Sequence, residues 1–235
     1  MIFKKISIVI PCYNEKTTIE KIIGLLKSAP MHGLEKEIIV VDDGSKDGTR
    51  DIVKMIPGIR YIFHEKNLGK GGAVKTGFRE ATGDLLMIQD ADLEYDPYEI
   101  ADVIKPVLDG ETEMTLGVRL TPDKDGRRGK SLYWLALFGN HLITFVTNVL
   151  YRNNAGEYEG CYKAFSKQLV SSIEVKTNDF DFDNELVCKA LKLGYKSVDV
   201  PIHYYPRNYD AGKKIGWKHG FKILWTVVRI RFTQN

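Results

Sequence analysis

Asp90 and Asp92 are carboxylates separated by one alanine, and Glu94 continues the series two residues on. They follow Leu85-Leu86-Met87-Ile88, an apolar run of strand length, so they emerge where a buried strand ends. Carboxylate oxygens suit Mg²⁺ or Mn²⁺, ions that bind through one or two carboxylates and complete their shells with phosphate oxygens. Such an ion stabilises a departing diphosphate, the leaving group of a nucleotide-sugar. Alone, an Asp-x-Asp is as readily a solvated acidic turn. Two more polar clusters follow apolar runs of the same kind. They are Tyr13-Asn14-Glu15, after Ile6–Ile10 and Pro11, and Asp42-Asp43-Gly44-Ser45, after Glu37–Val41. Asp42 and Asp43 offer acceptors to a base or ribose, or simply end the strand and cap a helix. Asn67-Leu68-Gly69-Lys70-Gly71-Gly72 is glycine-rich and basic at a helix start, where it would cradle phosphate or allow close helix packing.

These clusters need elements that bring them together. Strands apolar on both faces, alternating with helices, predict an α/β fold with a mostly parallel sheet. Ligands bind such sheets outside the carboxyl ends of the strands, and all three acidic or amide clusters fall at that edge. Thr17 to Glu20 predicts a capping box, ahead of Ile19, Ile22, Ile23 and Leu26 at helical spacing. A short helix from about Asp47 to Met55 is expected with Ser45 or Asp47 as its cap. Ile59 to His64 is the third strand, and Ala73, Val74, Phe78 and Ala81 mark the next helix face. On extended chain Asp90 and Asp92 would point to one side. Further on, Gly160–Phe165 is expected as a strand, Asp183–Leu193 as a helix and Tyr195–Tyr205 as a strand leading to Pro206-Arg207.

Composition bounds the rest. At 235 residues, 43% apolar and 28% charged, the chain suits one globular domain over residues 1–235. A net charge of +3 is too small to argue for nucleic acid, and nucleic-acid binding would leave the acidic rim unexplained. The basic excess lies after position 119. Cys12, Cys161 and Cys188 are isolated, which favours a reducing compartment, and Met1 to Lys5 leads directly into a strand without a signal-peptide pattern. A cytoplasmic location is therefore expected. Residues 131–151 carry no Asp, Glu, Lys or Arg over 21 positions, flanked by Lys124, Arg127, Arg128, Lys130 and Arg152. That length spans a bilayer, but Gly139-Asn140-His141 lies in its middle. An amphipathic interfacial helix pair with Tyr133 and Trp134 at headgroup depth is expected instead, a buried helix or dimer face being the alternative. A basic tail from Lys213 to Arg231 places Trp217, Phe221, Leu224, Trp225 and Val228 at helical spacing.

Taken in order, Val9-Ile10-Pro11-Cys12-Tyr13-Asn14-Glu15, Val41-Asp42-Asp43-Gly44-Ser45, Asn67-Leu68-Gly69-Lys70-Gly71 and Gln89-Asp90-Ala91-Asp92 resemble the inverting family 2 glycosyltransferases. Gly117-Val118-Arg119, Cys161-Tyr162-Lys163, Glu185-Leu186, Val200-Pro201-Ile202, Arg207 and Gly212-Lys213-Lys214 resemble the polyprenyl-phosphate branch, which includes the dolichyl-phosphate mannose synthases. The resemblance implies a GT-A fold, a Rossmann-like, mostly parallel sheet flanked by helices. Residues 1–120 would form the nucleotide-sugar half and 121–235 the acceptor and membrane half. It implies that Pro11, Tyr13, Glu15 and Asp43 line base and ribose, with Asp90 and Asp92 on metal and diphosphate and Glu94 as a further ligand. Arg119, Arg207 and Lys213 would meet donor or acceptor phosphates. Glu157 stands where relatives commonly carry Asp. The implied reaction moves a hexose from a GDP-mannose or UDP-glucose type donor to a polyprenyl or dolichyl phosphate, with inversion, at the cytosolic face of a membrane. A lipid phosphate is already anionic and needs no strong base. A glycan hydroxyl acceptor would need one, with Asp183 or Glu185 as the candidates. A non-catalytic sugar-nucleotide-binding protein is the alternative from another class.

Overall fold

The structure, a computed structural model, describes residues 3–119, 130–205 and 217–233, with side chains throughout these except at 130–136 and 217–219. Seven strands form one sheet: β1 (Lys5–Cys12), β2 (Glu35–Asp42), β3 (Arg60–Phe63), β4 (Leu85–Ile88), β5 (Met114–Arg119), β6 (Lys163–Ser166) and β7 (Ser197–Ile202). Their order is β3-β2-β1-β4-β6-β5-β7. β6 runs antiparallel to β4 and β5, and every other pairing is parallel. Five of the eight residues of β1 and all four of β4 are buried on consecutive positions, as a central strand covered on both faces requires.

The helices are α1 (Ile19–Ser28), α2 (Thr49–Met55), α3 (Lys70–Glu80), α4 (Ile100–Leu108), α5 (Lys130–Tyr151), α6 (Lys167–Ser171), α7 (Phe182–Lys192) and α8 (Trp217–Phe232). α1 buries Ile19, Ile22, Ile23 and Leu26, the face that the spacing predicts. α3 crosses β1 so closely that a β-carbon on Gly77 would collide with the side chain of Val9. α4 buries Ile100, Val103, Ile104 and Val107, which stand at helical spacing in the sequence, whereas β5 carries no clear signal. Pro106 sits inside α4, and Gly117 interrupts the apolar run of β5.

Local expectations are corrected at three points. The Thr17–Glu20 capping box does not form: the Thr18 hydroxyl turns back to donate to the Glu15 carboxylate at 2.7 Å. Gly48, at φ 96°, is the residue before α2, while the Asp47 carboxylate still accepts from the Thr49 N–H at 3.0 Å. The expected interfacial helix pair is one continuous helix, α5, running through Gly139-Asn140-His141 without a break. Gly139 has right-handed helical neighbours on both sides and no special φ, so nothing there interrupts the hydrogen-bond ladder. α5 packs along α8, and the Tyr151 hydroxyl donates to the Val227 carbonyl at 2.8 Å. Tyr133 and Trp134 lie outside the described side chains.

Candidate active site

The carboxyl ends of β1, β2 and β4 meet at one rim, and hydrogen bonds lace the first two loops together. Asn14, at φ 58°, donates its N–H to Ser45 Oγ at 2.8 Å and accepts from the Lys46 N–H at 2.9 Å. The Glu15 N–H donates to Thr49 Oγ1 at 3.0 Å and the Lys16 N–H to Asp47 Oδ2 at 3.1 Å. Pro11, Tyr13 and Glu15 are half-buried along this edge. Asp42 is fully buried; Arg50 Nε donates to its Oδ1 at 2.6 Å, and Oδ2 has no partner.

Asp43 is buried too, and both of its oxygens are engaged. Oδ1 accepts from His64 Nδ1 at 2.7 Å and from the Leu68 N–H at 2.8 Å, and Oδ2 accepts from the Gly69 N–H at 2.8 Å. A carboxylate only accepts, so Nδ1 carries the proton, and in the neutral ring Nε2 accepts from Thr76 Oγ1 at 3.0 Å. Asp43 thus ties the glycine-rich segment to the end of β2. That segment is not an open phosphate cradle. The Gly72 N–H donates to the Asn178 carbonyl at 3.0 Å, and a β-carbon on Gly71 would lie 2.6 Å from Phe182 Cβ. Its glycines serve close packing against residues 178–182.

Lys70 reaches the rim through its side chain instead. Its Nζ lies 2.7 Å from Asp90 Oδ1 and 3.0 Å from Oδ2. Burial works against both charges, but their attraction outweighs it: Asp90 stays below the ordinary carboxylate range, and Lys70 is raised well above its own. No sequence signal marks this pair, because twenty residues separate the partners. Asp92 does not continue an extended strand. It sits in a turn where its Oδ1 accepts from the Glu94 N–H at 3.0 Å and Leu93 adopts φ 61°. A bulky residue in the left-handed region is strained, so this short turn is held by its surroundings rather than by its own preference.

Glu94 turns toward the second half of the chain, accepting from the Tyr204 hydroxyl at 2.7 Å. Tyr204 lies 5.3 Å from the Tyr95 ring, and Tyr95 stacks on Tyr162 at 5.0 Å. Arg119, at the end of β5, stands 4.9 Å over the Tyr204 ring and forms a forked ion pair with Glu157, its Nε donating at 3.0 Å. Burial opposes its charge and Glu157 restores it, leaving the guanidinium firmly protonated. Glu157 thereby orients the Arg119 guanidinium. Arg207 and Lys213 lie outside the described residues.

Of the two candidate bases, Glu185 is unsuitable. Burial is outweighed by Lys189 and by the N–H groups of Lys176 and Thr177, holding its pKa at about 2. Asp183 faces Lys163 at 3.7 Å and keeps one oxygen without a partner. Among the described residues no group of three or more His, Cys, Asp or Glu is arranged to hold a metal ion by itself. Asp90 and Asp92 still fit the oxygen chemistry of Mg²⁺ or Mn²⁺ in the mode that uses two carboxylates and substrate phosphates.

Comparison with known proteins identifies the family and the fold. Residues 7–173 match the family model described as glycosyl transferase family 2. An uncharacterised protein of Methanocaldococcus jannaschii is 31% identical over 95% of this chain and 91% of its own length. The UDP-N-acetylglucosamine–dolichyl-phosphate N-acetylglucosaminyltransferase of Methanococcus voltae is 28% identical over 97% of this chain and 96% of its own. Glycosyltransferase AglD of Haloferax volcanii is 27% identical over 86% of this chain, which matches 33% of AglD. Among solved structures, Mycobacterium tuberculosis glucosyl-3-phosphoglycerate synthase with Mn²⁺, UDP and phosphoglyceric acid superposes with a TM-score of 0.73. It is 20% identical, over 99% of this chain and 80% of that one. The chain belongs to glycosyl transferase family 2 and is a glycosyltransferase of the GT-A fold.

Proposed function

We propose that this enzyme transfers a hexose, with inversion, from a nucleotide-sugar to a polyprenyl or dolichyl phosphate while seated peripherally on the cytosolic face of a membrane. The observation that carries the acceptor is the exposed face of α5 and α8. Phe138, Leu142, Phe145 and Val149 form a stripe along α5, and Phe221, Trp225 and Phe232 form another along α8. Exposed Lys222, Arg229 and Arg231 border the second stripe. Aromatic rings beside basic side chains suit the headgroup region of an anionic bilayer. No helix among the described residues is long and apolar enough to cross a membrane. The Methanococcus voltae relative, a dolichyl-phosphate N-acetylglucosaminyltransferase by name, supports the same acceptor class. Three unpaired, buried cysteines fit a reducing compartment.

In this reading Pro11, Tyr13 and Glu15 line the base and ribose, and the partnerless Asp42 Oδ2 accepts a donor N–H from the base. Asp43 holds the loop that carries Lys70. Asp90 and Asp92 hold a divalent ion, which supplies charge stabilisation for the leaving diphosphate. Lys70 keeps Asp90 ionised and oriented until the donor arrives, then adds a positive charge beside the diphosphate. Glu94 acts by fixing Tyr204 under Arg119. Arg119, oriented by Glu157, meets the acceptor phosphate with Arg207 and Lys213, so two anions approach without repulsion. The acceptor oxygen is already anionic, so the displacement needs no proton removed. A glycan hydroxyl acceptor would leave Asp183 as the available base. A thermal-shift screen of UDP- and GDP-sugars with Mn²⁺ or Mg²⁺ tests the donor side. A donor at about 100 times its Kd adds roughly 2.7 kcal/mol of stability. No shift with any nucleotide-sugar would overturn the proposal.

A further inference from the structure

The sheet releases the chain at Gln89. The Gln89 N–H still donates to the Val9 carbonyl at 3.0 Å, and beyond it the backbone turns through Asp90 to Tyr95. Gln89 is fully buried, where an amide is costly unless its polar atoms are paired. Its side chain reaches forward: Nε2 donates to the Asp90 carbonyl at 3.0 Å, while Oε1 accepts from the Tyr162 hydroxyl at 2.7 Å. A carbonyl only accepts, so Asp90 fixes the orientation of the amide and makes Tyr162 the donor. Met87 lies opposite Ala164 in the antiparallel β4–β6 ladder, and the same register two residues on brings Gln89 opposite Tyr162.

The far end of the turn is held from the same place. Tyr95 stacks on Tyr162 with ring centroids 5.0 Å apart, and its hydroxyl accepts from the Cys161 N–H at 3.2 Å. Tyr95, Cys161 and Tyr162 are all buried, so water does not compete for these bonds. Between the two grips stands Leu93 at φ 61°, a conformation that persists only where the surroundings over-determine it. Packing alone does not call for an amide at position 89, since methionine has similar length and brings no N–H or carbonyl that must be paired. We infer that Gln89, Tyr162 and Tyr95 are positioning residues, which fix both ends of the Asp90–Tyr95 turn and so set Asp90 and Asp92 for the divalent ion. This rests on the ion-holding role proposed above for the two aspartates. It adds that the ion site is shaped from β6, through a side chain that never touches the ion.

Calorimetric titration of the full chain with UDP and with GDP, each in Mn²⁺ and in EDTA, tests the inference. The quantity read is the gain in nucleotide affinity that Mn²⁺ confers. Wild type is compared with Gln89→Met and Tyr162→Phe. The control is Thr115→Val, which removes a buried hydroxyl that donates to the Val103 carbonyl at 2.7 Å on the α4 side of the sheet. Gln89→Met is expected to cut the Mn²⁺ gain about tenfold, the scale on which residues that orient a metal's ligands act. Its affinity in EDTA should stay within about twofold of wild type, because the base and ribose contacts lie on other loops. Thr115→Val should keep the full gain. Should Gln89→Met fail to fold, Tyr162→Phe, which keeps the ring stack, decides in the same way. A full Mn²⁺ gain in the deciding variant, an equal loss in EDTA and Mn²⁺, or the same loss of gain in Thr115→Val overturns the positioning role alone. Wild type that gains nothing from Mn²⁺ with either nucleotide overturns the ion-holding role of Asp90 and Asp92 with it.

Discussion

At the scale of single residues, the rim is organised by acids that hold other parts of the protein, and this changes what each substitution should do. Asp90 is paired with Lys70, whereas Asp92 bonds its own turn with one oxygen. Asp92→Ala is expected to retain the fold and lower transfer by roughly 100-fold or more, the usual cost of losing an electrostatic stabiliser. Circular dichroism and initial rates check both halves of that statement. Lys70→Ala strips a half-buried carboxylate of its partner and should destabilise the protein by about 1–3 kcal/mol, read from urea unfolding. Much of this chemistry is legible in the sequence. Asp90 stands out because it follows four apolar residues, and Asp42 and Asp43 for the same reason. The Lys70–Asp90 and Arg119–Glu157 pairs are not legible, since each joins segments distant in the chain that only the sheet order brings together.

At the scale of elements, β1, β2 and β4 are recognisable because both faces are buried, which leaves continuous apolar runs. α4 is legible in Ile100, Val103, Ile104 and Val107 at helical spacing despite Pro106, whereas Gly117 interrupts the apolar run of β5 and hides it. The middle of the chain is read correctly as helical and incorrectly as two helices, since Gly139 weakens a helix without breaking it. Two tests belong here. Phe145→Asp should leave the melting temperature almost unchanged, because the side chain is 65% exposed, and should reduce sedimentation with anionic vesicles. The second concerns β2. Glu37 is buried, but hydrogen bonds from Ser7, Thr82 and Arg60 hold its pKa at about 2 rather than the ordinary 4.5. Its contribution is therefore complete above pH 4.5 and lost as pH falls toward 2. Glu37→Gln should lower Tm by roughly 4–8 °C at pH 7, corresponding to about 2 kcal/mol, and the gap from wild type should shrink steadily below pH 4.5.

At the scale of the whole molecule, one sheet connects two surfaces of opposite character. The ends of β1, β2 and β4 carry the acidic rim, while α5 and α8, beyond β6 and α7, expose aromatic and basic side chains. Residues 178–182 lie between them. Asn178 accepts from the start of α3, and Asp179 and Asp181 hold Lys222 of α8 at 2.9 and 3.1 Å. The proposed transfer to a lipid-borne phosphate rests on this joining of the acidic rim to the aromatic, basic surface. The decisive measurement is incubation of the full chain with a short polyprenyl phosphate, Mn²⁺ and labelled UDP-glucose, UDP-N-acetylglucosamine or GDP-mannose. A lipid-linked sugar from one of these donors, absent with EDTA and with Asp92→Ala, is expected. Transfer to free glycan hydroxyls, with no lipid-linked product from any donor, would contradict the proposed acceptor.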